Sequence, residues 1–355
     1  MANNGIPARV QGTVKEWTLR GAFALPERVK RMLAGPPVVR DGQTLDLDTQ
    51  LLLRLQRVSH ERPAELLPIP QGRVALAAQS AMVGGRQPIG TSLDTTAAGV
   101  PVRVLTPRAL VGRTDPLPTL VFLHGGGFIY GGRHETHDGL ARFLAEAAGV
   151  QVISVDYRLA PEHPFPAAHD DCLAAFRAVV GDPERWQVDP ARIAVGGDSA
   201  GGNLAAYLAL TAAAEGLPLA YQLLIYPMAQ ASAEAPSRRM FDDGFFLTRQ
   251  FLDLAESSYL PTEADCRDPR VDLVNADIPA GVCPGHLVTA GYDPLRDEGE
   301  AYARRLIEAG VALTMERQPG LIHGFVNWVG VDCAAREVVG ELAARLRAGL
   351  GLASG

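Results

Sequence analysis

The stretch Arg192-Ile193-Ala194-Val195-Gly196-Gly197-Asp198-Ser199-Ala200-Gly201-Gly202-Asn203 decides the fold. It begins as an apolar run of strand length. It then turns through glycines around one serine and enters the alanine- and leucine-rich stretch 204–214, which has helical spacing. A strand, a sharp turn and a helix are the context of a nucleophile elbow, in which the serine side chain is thrust out of the turn. Gly197 and Gly201, two residues before and two after Ser199, let the chain turn where a side chain would clash. The first amides of the following helix then point at whatever sits beside the serine oxygen.

Outward from this elbow, apolar runs of strand length recur at 88–94, 101–106, 119–123, 150–155, 192–196, 221–226, 285–290 and 311–316. Helical patterns occupy 135–148, 168–180, 200–214 and 296–309, with a last helix at 334–350. Buried strands alternating with helices predict an α/β fold with a largely parallel sheet. Residues 1–85 carry helical signals and no strand. Pro26 sits in a first helical turn, and Gly35-Pro36-Pro37 stops that helix. Leu47, Leu51, Leu55 and Val58 line one face of a helix over 44–58, and a third helix spans 71–83. The polar, proline-containing stretch 228–280 breaks the alternation and holds a helix-like piece at 248–259. The expected organisation is an N-terminal helical cap segment at 1–85, a first core part at 86–227, a cap insertion at 228–280 and a second core part at 281–355.

A second motif, His124-Gly125-Gly126-Gly127-Phe128, directly follows the run Leu120-Val121-Phe122-Leu123. Consecutive glycines after a buried strand expose backbone N–H groups with no Cβ in the way. Acyl transfer creates a tetrahedral oxyanion that such donors stabilise, and losing one costs about 10²–10³ in rate. The amides of Gly125, Gly126 and Ala200 are the expected oxyanion hole. His124, on the oxyanion strand, is read as a brace. A serine needs a base, and downstream of Ser199 stand only His286 and His323. His286 lies inside a strand. His323, in Leu321-Ile322-His323-Gly324-Phe325, is free to reach the serine from a loop. The orienting carboxylate precedes the histidine in chain order. Asp293 follows the run 285–290 directly and is favoured over Asp297 and Glu298, which fall in the first helical turn, where acids are favoured anyway.

Other polar residues read as structural. Asp198 is expected to make a structural hydrogen bond near the helix start. Arg158 and Glu162 are expected to pair and brace the loop 157–166. His134 and His137 have HxxH spacing, but no carboxylate completes a zinc set, so no metal and no cofactor is expected.

At 355 residues, 47% apolar and 21% charged, with net charge −7, the composition is that of an ordinary globular chain. No basic block points to nucleic acid, and no uncharged stretch is long enough to span a membrane. Cys172, Cys266, Cys283 and Cys333 form no CxxC pair and read as reduced thiols. Residues 1–12 show no apolar segment of a signal peptide. A cytoplasmic location is therefore expected.

Taken together, the motifs resemble those of the bacterial hormone-sensitive-lipase-like carboxylesterases of the α/β-hydrolase superfamily, in the branch with Asp after the first glycine of the elbow. The matching residues are His124–Phe128, Asp156-Tyr157-Arg158-Leu159-Ala160-Pro161-Glu162, Gly197–Asn203, Asp293-Pro294-Leu295 and His323-Gly324-Phe325, in order, within a resemblance running from about 85 to 350. The resemblance implies an eight-stranded, mostly parallel sheet flanked by helices. It also implies a helical cap made from the N-terminus and the 228–280 insertion. The implied activity is a cofactor-free serine carboxylesterase that hydrolyses short- to medium-chain acyl esters through Ser199, Asp293 and His323. Many relatives form homodimers, and the resemblance implies that Ile129-Tyr130-Gly131-Gly132 is a loop that helps wall the acyl site. The alternatives are an amidase or deacetylase on the same triad, or a non-catalytic small-molecule receptor on the same fold. The intact Ser199, Asp293 and His323 argue against the receptor.

Overall fold

The computed structural model describes residues 21–59, 62–231 and 233–353. The first twenty residues of the N-terminal segment, including the stretch read for a signal peptide, lie outside them. Eight strands form the main sheet: β3 (Thr91–Ala97), β4 (Val100–Thr106), β5 (Leu117–Leu123), β6 (Gln151–Val155), β7 (Val188–Asp198), β8 (Tyr221–Ile225), β9 (Gly285–Tyr292) and β10 (Leu313–Ile322). Their spatial order is β10-β9-β8-β7-β5-β6-β4-β3. β3 and β4 pair antiparallel, as do β4 and β6, and every other neighbour is parallel. The central strands β5, β6, β8 and β9 are buried along their whole length. Such strands have helices on both faces, which is why they read as unbroken apolar runs rather than alternating ones. The edge strand β3 is mostly exposed and carries threonines and Asp94.

Helices α4 (Asp138–Ala148) and α12 (Cys333–Gly349) cover one face of the sheet. Helices α5 (Ala167–Gly181), α7 (Ala200–Glu215) and α11 (Arg296–Glu308) cover the other. Each side buries its own aliphatic cluster, with Leu140, Leu144, Val339 and Leu342 on the first and Phe176, Leu204, Leu208 and Leu306 on the second. Burial of each such side chain contributes about 1.5–3 kcal/mol. This three-layer arrangement fixes the strand ends in space, and the site is built on those ends.

The N-terminal part holds α1 (Glu27–Ala34), α2 (Leu47–Ser59) and α3 (Ile69–Gly84). It also holds a feature absent from the sequence reading, a hairpin of β1 (Val39–Arg40) and β2 (Gln43–Thr44). Its turn is Asp41-Gly42, both at positive φ, which is the Asp-Gly turn that suits a two-residue hairpin loop. The strands are too short for alternation to register. The apolar stripe of α2 also ends early, because Leu51 is fully buried while Val58 is 62% exposed. The 228–280 stretch contains α8 (Pro236–Met240), α9 (Arg249–Tyr259) and α10 (Glu263–Cys266). Thr248 caps α9 by accepting from Phe251 N, and its hydroxyl donates to Glu65 Oε1 at 2.9 Å. That bond ties the two parts expected to form the cap.

Candidate active site

Four strand ends meet here: β5 leads into His124, β7 into Ser199, β9 into Asp293 and β10 into His323. The carboxyl ends of parallel strands are where open α/β sheets bind ligands. Ser199 sits at φ 58 and ψ −120, an uncommon conformation for a residue with a side chain. The flanking glycines make it sterically possible. A Cβ on Gly197 would lie 2.3 Å from Gly201 O, and one on Gly201 would lie 2.0 Å from Leu123 O. The elbow is thus a three-way backbone approach between the turn, the start of α7 and the end of β5.

Ser199 Oγ lies 2.9 Å from His323 Nε2. His323 Nδ1 lies 2.8 Å from Asp293 Oδ2, and Asp293 Oδ1 accepts the Leu295 amide at 2.8 Å. All three side chains are buried, Asp293 completely. Asp297, the nearest competitor in sequence, instead accepts the Ser237 amide at 2.9 Å and pairs with Arg296. Glu298 pairs with Arg238 and accepts the amides of Ala229 and Gln230. His286 is buried inside β9 against Thr314 Oγ1 at 2.8 Å, and burial pushes its imidazole down to about 4.

The glycine loop departs from expectation at one position. The Gly125 amide is taken: it donates to Asp198 Oδ1 at 2.9 Å. A Cβ at Gly125 would come within 2.6 Å of Asp198 Oδ2, so this glycine makes room for the aspartate. Among the described residues, no protein acceptor takes the amides of Gly126, Gly127 or Ala200. Gly126 is at φ +120, where a Cβ would meet Tyr130 O at 2.2 Å, and Gly127 is at φ +61. The unclaimed amides of the loop and of the start of α7 are therefore Gly126, Gly127 and Ala200, whereas the Gly125 amide, an expected donor, is engaged by Asp198.

Behind the nucleophile lies a polar cluster that the sequence reading left divided. His137 and Asp198 are both buried, and His137 Nε2 lies 3.2 Å from Asp198 Oδ2. Thr136 Oγ1 faces His137 Nδ1 at 2.6 Å, and Asn327 Nδ2 lies 3.3 Å from Nε2. Burial pushes the Asp198 carboxyl up, but His137, His323 and the Gly125 amide outweigh it and hold it below the usual range. His124 braces the loop as expected, with Nδ1 2.9 Å from Gly125 O and its ring stacked on Tyr157 at 4.2 Å. Burial first, and the neighbouring His137 second, push its imidazole down to about 4.

A narrow, mostly apolar cavity opens on Ser199. Its lining includes Gly127, Phe128, Met228, Leu247, Phe251 and Tyr259. Ile129 to Gly132 do not line it, because Tyr130 turns its hydroxyl onto Ala64 O at 3.1 Å. Nor do Arg158 and Glu162 pair. The loop turns them apart, Arg158 onto Asp171 at 2.7 Å and Glu162 onto Arg73 at 2.7 Å. His134 stands on the surface beside Asp94, away from His137's partners, and no cluster of three metal-ligating side chains occurs among the described residues. Among the same residues, no helix is long and apolar enough to cross a membrane.

Comparison with known proteins agrees with this fold. Residues 120–327 match a family model described as the alpha/beta hydrolase fold. The chain is 38% identical to the carboxylic ester hydrolase LipN of Mycobacterium tuberculosis over 96% of this chain and 93% of that one. It is 36% identical to an ethyl acetate hydrolase of Pseudomonas putida, covering 80% of this chain and 93% of that one. A crystal structure of an alpha/beta hydrolase enzyme from the metagenome of Lake Arreo, Spain, superposes with TM-score 0.82 at 40% identity, covering 86% of this chain and 99% of that one. With the strand order, the elbow and these matches in agreement, the chain belongs to the hormone-sensitive-lipase-like carboxylesterases of the α/β-hydrolase fold and is an ester hydrolase.

Proposed function

We propose that the protein hydrolyses short- to medium-chain acyl esters through an acyl-enzyme on Ser199. The observation that carries this reading is the hydrogen-bonded chain from Asp293 through His323 to Ser199 Oγ, with separations of 2.8 and 2.9 Å. His323 Nε2 takes the hydroxyl proton as Oγ attacks the ester carbonyl. The Asp293 carboxylate holds the ring by Nδ1–H and stabilises the imidazolium that forms. The tetrahedral oxyanion accepts from the amides of Gly126, Gly127 and Ala200, with the start of α7 adding its dipole. His323 then gives its proton to the leaving alkoxide, and the alcohol departs. Water enters, His323 takes its proton, and the hydroxide adds to the acyl carbonyl. Collapse expels Ser199 Oγ, which regains the proton from His323, and releases the acid.

The cavity supports the acyl-length reading. Its lining side chains are mostly apolar, and α9 contributes Phe251, Leu252, Ala255, Glu256 and Tyr259 to it. Phe251 and Ala255 pack so near Gly127 that a Cβ there would lie 2.9 and 2.8 Å from them. A long chain has to displace Phe251, Leu252 or Tyr259 to fit. The test is hydrolysis of p-nitrophenyl esters from acetate to palmitate, with Ser199→Ala alongside. Activity that peaks at acetate to octanoate and vanishes in the variant supports the proposal. A peak at palmitate overturns the length reading, and an active Ser199→Ala protein overturns the mechanism.

A further inference from the structure

We infer that Asp198 and His137 form a second histidine–carboxylate pair whose task is to position the oxyanion loop, acting through the Gly125 amide and exchanging no proton with substrate. The inference rests on the proposed role of Gly126, Gly127 and Ala200 as oxyanion donors. Asp198 is the residue before Ser199, so it is rigidly placed relative to the nucleophile. Its Oδ1 reaches 73 residues back in sequence to the Gly125 amide at 2.9 Å, and its Oδ2 lies 3.2 Å from His137 Nε2. The two amides that follow Gly125 are the unclaimed ones. One charge-assisted bond thereby sets the distance between Ser199 Oγ and the donors that face it. His137, immediately before α4, is buried and held by Thr136, so it fixes the carboxylate from the far side. Asn327, four residues past His323, lies 3.3 Å from the same imidazole nitrogen and brings the histidine loop to the junction. No bond in this cluster reaches Ser199 Oγ, which separates positioning from proton transfer.

The experiment compares Asp198→Ala, Asp198→Asn, His137→Ala, His137→Gln and the double alanine variant of the full chain. Four quantities are read: kcat and KM for p-nitrophenyl butyrate, the affinity for an alkyl trifluoromethyl ketone, and the melting temperature. The ketone reports the donors directly. Ser199 Oγ bonds to its carbonyl carbon, the hydroxyl proton passes to His323 Nε2, and the carbonyl π electrons become the oxyanion. Displacing a donor loop costs about 10²-fold in rate. Asp198→Ala is expected to lower kcat and ketone affinity together by about 10–100-fold with KM within about threefold. Asp198→Asn, which keeps an acceptor for Gly125, recovers most of both, and the double variant is no worse than Asp198→Ala alone. A fall in kcat with unchanged ketone affinity overturns the inference, as does a loss that follows the melting temperature or adds fully in the double variant. Should an alanine variant fail to fold, the Asn and Gln variants carry the same comparison. The ketone's fluorine resonance reads affinity without turnover. A parent protein that hydrolysed no ester would defeat the proposed function and leave this measurement standing.

Discussion

His323–Asp293 and His137–Asp198 use the same two side chains at similar separations, 2.8 and 3.2 Å, and both are buried beside the elbow. They differ in order. In the first pair the imidazole stands between the carboxylate and the serine hydroxyl. In the second the carboxylate stands between the imidazole and a backbone amide. The first order lets a proton move to and from Nε2 while the carboxylate stays charged. The second fixes a loop. A histidine and an aspartate in contact therefore say little about catalysis until the next atom along the chain of bonds is named.

The largest effects should come from cutting the first pair away from Ser199. Ser199→Ala and His323→Ala are each expected to lower kcat/KM for p-nitrophenyl butyrate by about 10⁴–10⁶, with little change in melting temperature. Asp293→Asn should cost about 10³–10⁴, because it leaves the ring free to adopt the wrong tautomer. Asp297→Asn should cost less than about tenfold, since its carboxylate serves only Ser237 and Arg296. A larger loss at Asp297 than at Asp293 would transfer the orienting role.

A neighbour of the second pair, His124, should show itself in stability against pH. His124 lies against His137 in that cluster, and its pKa is pushed down to about 4. In the unfolded chain a histidine titrates near 6.5. Between those values the unfolded state binds more protons than the native one, so stability is full above about pH 6.5 and falls as pH drops toward 4. His124→Asn keeps a donor near the Nδ1 position and removes the titration. Its urea midpoint should fall less than the parent's between about pH 7 and pH 4.5. The difference should be on the order of 1–3 kcal/mol. Parallel midpoints across that range would show that His124 is not what acid attacks.

Much of this was legible in the sequence because it has short-range causes. The apolar runs read as strands because β5, β6, β8 and β9 are buried on both faces. The elbow read as an elbow because the Gly197 and Gly201 contacts lie within its own turn or at the adjacent strand end. Asp293 was separable from Asp297 because one lies at a strand end and the other in a helix. What failed to read has long-range causes. Which glycine amides stay unclaimed depends on Asp198, 73 residues from Gly125. Arg158 and Glu162 share a loop, but their partners come from Asp171 and Arg73. The β1–β2 hairpin has only two residues per strand, too few for any period to emerge, though Asp41-Gly42 was a signal to heed.

The smallest expected effect sharpens the comparison most, because it uses the other half of the HxxH spacing. His134 is three residues from His137, yet its side chain is 38% exposed, with Nε2 3.4 Å from Asp94 Oδ2 and 3.2 Å from an Arg103 nitrogen. Asp94 already holds Arg103 at 2.9 Å and also faces Arg133, so His134 lies beside a surface ion cluster that water and salt screen. His134→Asn should change stability by no more than about 0.5 kcal/mol and kcat/KM by less than about twofold. Spacing alone makes the two histidines equivalent, and burial makes them different. If His134→Asn matched His137→Ala in ketone affinity, an effect of Asp94 and the β3 edge would be reaching the oxyanion loop. The private tie between Asp198 and Gly125 would then no longer explain how the loop is held.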